Sequence, residues 1–355
     1  VRFARAFALE ERDGVRLARV LTPWKESREV FTFALVPRGQ PRPALPPGAI
    51  PVEVPIRRLA LAARTSISFL PLLGAEEALA GATGLKRITT PEIADRIARG
   101  LVREVGVGND GLSRRLNMER LYALAPDLVV VHATGSAAAD VHPKLLEAGL
   151  ATVIDASYLE PTPLGRAEWI KFYAAFLGRE QEAAAFFDRL ARDYESLAAR
   201  ARASASRPTA FSGMVYHGTF FGPGGDSYMA RFMEDAGADF LWKDDPHRGT
   251  IPLSVEAVYA RAGQARFWVN PGECRSLAEL AATDERLALF ESFAAGRVFN
   301  NDAIPGPTGS NDVWERGVSR PDLLLADLVS IFHPELLPGH ARAWYRQLPA
   351  REEGR

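Results

Sequence analysis

The chain has 355 residues, of which 47% are hydrophobic and 25% charged, with a formal net charge of −1 and a single cysteine. That length exceeds what one hydrophobic core usually supports and suits two domains. The charge balance excludes the strongly basic footprint of a nucleic-acid binder, Cys274 alone excludes an intramolecular disulfide or a cysteine metal cage, and no apolar run reaches the roughly 18 residues of a membrane span.

Residues 1–53 alternate weakly through Phe3, Phe7, Val15 and Leu17 and then run apolar from Val30 to Val36. They predict a small antiparallel β appendage followed by a linker, because Pro41, Pro43, Pro46, Pro47, Pro51 and Pro55 cannot all serve a regular sheet. An N-terminal α/β lobe is expected over 54–163. It opens with a strand at 56–63, a polar turn Arg64-Thr65-Ser66-Ile67-Ser68 and a helix closed by Gly74. Further units follow at 103–106, a glutamate-led helix near 118–125, a strand at 129–131, a helix at 144–149 and a strand at 151–154. Such alternation implies a mostly parallel sheet with helices on its faces.

Linking helices are expected over 164–206. Trp169, Phe172, Tyr173, Phe176 and Leu177 recur at spacings of three and four until Gly178, and a second helix carries the period on through Phe187, Leu190 and Tyr194. At about 24 residues it would be about 36 Å long. A C-terminal α/β lobe is expected over 207–335, with a strand at 208–215, a polar Gly-rich turn at 216–226, helices at 227–236 and 255–262, a strand at 265–269 and a closing helix at 320–332. Residues 336–355 read as a loose tail from which Trp344 and Tyr345 return to the body.

Two stretches echo each other: Met118-Glu119-Arg120-Leu121-Tyr122-Ala123 and Val255-Glu256-Ala257-Val258-Tyr259-Ala260. Each sets a glutamate at the head of a short helix that feeds a buried strand. The first, taken from Asn117 through Pro126-Asp127-Leu128-Val129-Val130, is similar to the N-x-E-x-I-x-x-L-x-P-D-L-V-I stretch of ABC-importer substrate-binding proteins. The likeness is to the helical-backbone class that serves ferric siderophores, haem and vitamin B12, and it covers about residues 54–335. The second lobe departs from it, with Gly263-Gln264-Ala265 where Pro-Asp is common.

That resemblance implies an α/β protein of two lobes, each a mostly parallel sheet flanked by helices, joined by a long backbone helix. It implies a monomer without catalytic activity or resident cofactor. Such a protein is periplasmic or lipid-anchored, exported by a signal absent from this chain, which begins at Val1 rather than Met. Its partners would be a small-molecule ligand and the transmembrane subunits of the importer. In the vitamin B12 binding protein the matching glutamates form salt bridges with arginines of those subunits, so the resemblance assigns permease docking to Glu119 and Glu256. The bland alternative is that both are helix N-terminal residues favoured by the macrodipole, at about 0.3–1 kcal/mol each.

Ligand residues are expected on loops after strand C-terminal ends. The first lobe offers Arg64, Thr65, Ser66, Arg87, Arg103 and His132, and the second Tyr216, His217, Phe220, Arg248, Asn301 and Trp314. Arginines suit an anionic ligand and aromatic rings a planar one. The duller alternatives are solvated arginines and core-packed phenylalanines. The six histidines, His132, His142, His217, His247, His333 and His340, include no pair at close metal-ligand spacing, although His132 and His217 could converge.

No G-x-S-x-G or phosphate loop occurs, and Gly106-Val107-Gly108-Asn109-Asp110 lacks the third glycine of a dinucleotide fingerprint. The leading expectation, which the resemblance implies, is capture of a metal complex such as a ferric siderophore or corrinoid. A bare metal ion or an oxyanion is the alternative on the same fold, and a chelatase-like enzyme the remoter one.

Overall fold

The computed structural model describes residues 1–108 and 115–351; Asn109, Asp110 and positions 352–355 of the expected tail lie outside the described residues. The chain divides into two compact units, Val1–Leu190 with Pro305–Arg320, and Ala191–Ile304 with Pro321–Arg355.

The first unit opens with strands β1 (Phe7–Arg12), β2 (Val15–Val20), β3 (Phe31–Pro37) and β4 (Ile50–Val54), paired in that order. The first two pairings are antiparallel and β3–β4 is parallel. Pro51 thus lies inside a strand, opposite Ala34. It is tolerated because β4 is at the sheet edge, where a missing N–H breaks little.

Next come β5 (Leu59–Leu61), α1 (Phe69–Leu72), β6 (Leu79–Ala82), α2 (Pro91–Ala98), β7 (Arg103–Glu104), α3 (Met118–Leu124), β8 (Leu128–Val131), α4 (His142–Glu147) and β9 (Thr152–Ile154). These strands form one all-parallel sheet in the order β7-β6-β5-β8-β9. All four β8 residues are buried, as the unbroken apolar run requires of a strand covered on both faces. The parallel sheet flanked by helices is the architecture expected from the sequence.

Helix α5 (Pro163–Leu177) starts where Thr162 Oγ1 accepts the Gly165 N–H and stops at Gly178, whose φ is +66°. Nearly all of its side chains are buried, because the N-terminal sheet covers the face that would otherwise meet water. Phe7 packs edge-on to Trp169 at 5.1 Å and to Phe172 at 5.4 Å, and Phe33 packs on Phe176 at 5.9 Å. Residues 2–6 are clasped by two buried carboxylates. Glu168 accepts the N–H groups of Arg2, Phe3 and Ala4, and Glu160 those of Arg5 and Ala6, with Trp169 Nε1 at 3.0 Å. Helix α6 (Glu180–Arg202) follows, and the boundary between the units falls within it.

The second unit contains β10 (Thr209–Ser212), β11 (Met214–Tyr216), β12 (Thr219–Pro223), α7 (Tyr228–Asp235), β13 (Asp239–Phe240), β14 (Thr250–Ser254), α8 (Val255–Ala262), β15 (Phe267–Val269), α9 (Leu277–Thr283), α10 (Glu291–Ala294) and β16 (Val298–Asn300). After α11 (Arg316–Ser319), which belongs to the first unit, come α12 (Pro321–Phe332) and β17 (Arg346–Gln347). The main sheet has the order β13-β10-β15-β16-β17, parallel except for β17. Its core stacks Phe211 on Trp268 at 4.9 Å and on Phe290 at 5.5 Å.

Besides β4, which takes in part of the expected proline-rich linker and pairs in parallel, two segments differ from expectation. The stretch 216–226, read as a turn, contains β12, which with β11 and β14 forms a second, antiparallel sheet. Gly213 makes the sharp exit from β10 possible: its φ is +139°, and a Cβ there would lie 2.5 Å from the Phe221 carbonyl oxygen. Through residue 351 the tail is not loose either. Trp344, Tyr345 and Leu348 are buried, β17 closes the main sheet, and buried Asp327 accepts the N–H groups of Ala343, Trp344 and Tyr345 at 2.7 to 3.1 Å.

Candidate functional site

In the first unit, the loops after β5, β6, β8 and β9 all leave the sheet at its C-terminal edge, because the strands are parallel. Two hydrogen-bonded groups form there. One is centred on Asp155, fully buried just after β9. Its carboxylate accepts the Ser66 hydroxyl, the Tyr173 hydroxyl at 2.6 Å and the Ser157 N–H at 2.8 Å, while its carbonyl lies 3.1 Å from His132 Nδ1. The half-buried His132 ring also meets Tyr158 edge-on at 5.9 Å. With Nδ1–H donated to that carbonyl, Nε2 is the atom left to accept a proton or ligate a metal.

The other group links Arg64, Arg87 and Glu315. Arg64 Nη1 donates to the Arg87 carbonyl at 3.0 Å. Glu315 Oε1 accepts the N–H groups of Thr89 and Thr90 at 3.0 and 2.7 Å and the Thr90 hydroxyl at 2.6 Å, and the Glu315 carbonyl accepts the Ser68 hydroxyl. Burial pushes the Glu315 carboxyl above its ordinary value, against the Thr90 and Thr89 bonds and the charge of Arg64. Segment 305–320, returning from the second unit's sequence, is thereby tied to the β5 and β6 loops. Trp314, beside Glu315, is 43% exposed.

The structure therefore brings Arg64 and Arg87 together, and Ser66 with His132. Thr65 is half-buried between the two groups, and Arg103 is exposed on the edge strand β7. Ser66 requires a correction. It is 1% exposed and its hydroxyl is donated to Asp155, so it shapes the loop instead of meeting a ligand. Asp155 itself was missed. Applying the strand-end rule to the short β9 run would have found it.

In the second unit Tyr216 and His217 form the tip of the β11–β12 hairpin, their rings 4.2 Å apart, with Tyr216 57% exposed and His217 at φ +48°. Arg248 is exposed before β14. Phe220 and Asn301 do not fit the ligand role. Phe220 is 1% exposed and packs on Phe211 and Trp268, each at 6.3 Å, because alternation along β12 points it inward. Asn301 is buried just after β16, its N–H held by Asn300 Oδ1. Among the described residues no group of three or more His, Cys, Asp or Glu side chains is placed to hold a metal ion.

Glu119 and Glu256 are both exposed in the first turn of their helices. Asn117 Oδ1 caps α3 by accepting the Arg120 N–H, and Ser254 Oγ caps α8 by accepting the Ala257 N–H. Among the described residues the two differ in one respect. Glu256 is ion-paired with Arg286, whose Nε also donates to Asp284 at 2.9 Å. Its own backbone N–H, then Arg286, hold the Glu256 carboxyl below its ordinary value.

A family model described as periplasmic binding protein matches residues 59–304. The chain is similar to an uncharacterized lipoprotein of Methanocaldococcus jannaschii, 25% identical over 295 residues that make up 81% of this chain and 68% of the relative. Among solved structures it resembles a periplasmic haem-binding protein of Pseudomonas aeruginosa, at 21% identity and a TM-score of 0.60 over 84% of this chain and 100% of the other. It also resembles Helicobacter pylori CeuE with Ni(II) bound, at 15% identity and a TM-score of 0.60 over 82% and 88%. At these identities the structural likenesses establish the fold alone.

Proposed function

We propose that this chain, which belongs to the periplasmic binding protein family, captures a metal complex of the ferric siderophore, haem or corrinoid kind and delivers it to the transmembrane subunits of an ABC importer. The observation that carries the reading is the family match over residues 59–304, which takes in strands of both units. The ligand class is supported by the structural likeness to a haem-binding protein. Side chains that remain exposed or half-buried at strand ends supply the chemistry. Arg64 and Arg87 suit an anionic periphery, Trp314 and Tyr216 a planar face, and His132 Nε2 an axial position. Thr65, Arg103, His217 and Arg248 are the remaining contact candidates.

Docking falls to Glu119 and Glu256, which are exposed in the first turns of their helices, where a carboxylate can take a bidentate guanidinium partner, although Glu256 already pairs with Arg286 of its own chain. The relative named a lipoprotein supports a lipid-anchored position in an extracytoplasmic compartment. A complex is preferred over a bare ion because the six histidines include no pair at close metal-ligand spacing in the sequence.

The test is absorbance and native mass spectrometry of the protein as purified, followed by titration with haemin, a ferric trihydroxamate, cobalamin and Ni(II) alone. Stoichiometric reversible binding of one complex, weakened by His132→Ala and Trp314→Ala, is the expected result. Binding of Ni(II) alone, or chemical conversion of the complex, would overturn the reading.

A further inference from the structure

We infer that each glutamate helix presents a two-part clamp for an arginine side chain, Glu119 with Tyr122 on α3 and Glu256 with Tyr259 on α8. The partner it fits is a protein surface carrying arginines, not lysines. The inference rests on the docking role proposed for the two carboxylates and adds the aromatic half of the site.

Both helices bury one stripe and expose the rest in the same order. Leu121 and Leu124 are buried on α3, and Val255, Val258 and Ala262 on α8. Glu119 and Glu256 are exposed, and three residues on in each case stands an exposed tyrosine, Tyr122 at 49% and Tyr259 at 40%. Residues three apart on a helix are surface neighbours, with Cβ atoms about 5–6 Å apart. A single exposed aromatic calls for no explanation. Two of them, each one turn beyond an exposed carboxylate at matching places of an internal repeat, form a repeated surface feature.

Charge complementarity and ring geometry select the occupant. A carboxylate takes a guanidinium through two parallel N–H bonds, and the guanidinium plane can at the same time lie against an aromatic ring, whereas an ammonium is a hydrated point charge that gains less from the ring. The α8 carboxylate already holds an arginine, Arg286, steadied from behind by Asp284. Tyr259 is held by an edge-on contact with Phe290 at 5.3 Å, and the absence of a side chain at Gly263 leaves room for its ring, since a Cβ there would lie 3.1 Å away. The arginines on the two helices themselves are engaged elsewhere: Arg120 Nη1 donates to the Gly106 carbonyl at 3.2 Å, and Arg261 lies over the Trp242 ring at 5.4 Å.

Co-sedimentation of the full chain with membrane vesicles of its source organism tests this, with N-acetyl-arginine amide and N-acetyl-lysine amide as competitors at equal ionic strength. Arginine amide should compete at least about threefold better, from the ring contribution. The double variant Tyr122→Ala/Tyr259→Ala should sediment less and lose that preference. Tyr122→Phe/Tyr259→Phe should retain both, which separates ring loss from damage to the fold. Equal competition by the two amides, including none by either, overturns the inference. So does a drop in sedimentation with Glu119→Gln/Glu256→Gln that the tyrosine-to-alanine pair does not share. If the glutamate variant sediments like the wild type, the docking role itself fails, and the clamp with it.

Discussion

Replacing Glu168 by glutamine should release the first residues of the chain from α5. The carboxylate is fully buried and accepts the N–H groups of Arg2 at 2.8 Å, Phe3 at 2.6 Å and Ala4 at 2.9 Å, along with Lys171 Nζ at 3.0 Å. Hydrogen bonds to a charged group contribute about 1.5–3 kcal/mol each. Glutamine keeps one oxygen that can still accept, and turns an NH2 toward the remaining donors. The loss is bounded, because residues 2–6 can open locally without unfolding α5. The expected cost is therefore about 2–4 kcal/mol, smaller than the sum of the bonds.

The readouts are amide hydrogen exchange at Phe3 and Ala4 and the urea midpoint. Unchanged protection of both amides, with stability within about 0.5 kcal/mol of wild type, would refute the argument. Its pH dependence has a defined sign. Burial works against the Glu168 charge, but the N–H groups of Ala4 and Phe3, Lys171 and the N–H of Arg2 outweigh it, and the carboxyl lies below its ordinary 4.5. Its contribution is therefore complete above the unfolded-state value and is lost as pH falls through the folded one. Glu160 runs the other way. Burial outweighs the bonds from Ala6, Arg5 and Trp169, and Glu168 repels it, so its carboxyl lies above 4.5. What it contributes is present below the unfolded value and lost as pH rises through the folded one. Glu168→Gln should accordingly lessen acid lability, and Glu160→Gln should lessen the loss of stability as pH climbs above 4.5.

Phe220→Ala should cost about 3–5 kcal/mol in unfolding free energy while changing affinity for a bound complex less than about twofold. A large loss of affinity with stability intact would return Phe220 to the binding surface. The Cys274 thiol is 3% exposed and pushed up to about 12 by burial and then by Asp302. It should resist a chromogenic disulfide reagent at pH 8 in the folded protein and react at once in urea, and rapid native labelling would contradict its placement.

The parts of the fold that the sequence displayed are those whose signal is local. α5 was legible because its rings repeat at helical spacing and Gly178 supplies the left-handed stop. β8 was legible because a strand buried on both faces must be apolar throughout. β12 was hidden because Gly222 and Pro223 write turn chemistry over a Phe-Phe pair, and the strand exists only through its partners β11 and β14. The returning tail depends on Asp327 accepting backbone N–H groups 16 to 18 residues away. The N-terminal clasp likewise joins carboxylates to main-chain donors more than 150 residues distant. Backbone donors carry no side-chain signature, so residue types could not announce the bonds that hold either segment, although they did point to the return of Trp344 and Tyr345.

The candidate site divides along the same line. Strand-end reasoning brought out Arg64, Arg87 and His132, and the internal repeat brought out both glutamates, because each of those signals is written within a few residues. Whether a polar side chain is free for a ligand is settled by distant partners instead. Ser66 is committed by Asp155, from a different strand. Glu315 is committed by Thr89 and Thr90. Glu256 differs from Glu119 through Arg286, 30 residues away. A repeat in sequence thus establishes that two helices offer equivalent faces, and the tertiary environment then gives one of the two carboxylates an arginine partner. Under the docking proposed for both helices, Arg286→Gln should for that reason change co-sedimentation in a Glu119→Gln background, where α8 alone carries the contact, and leave it unchanged in a Glu256→Gln background.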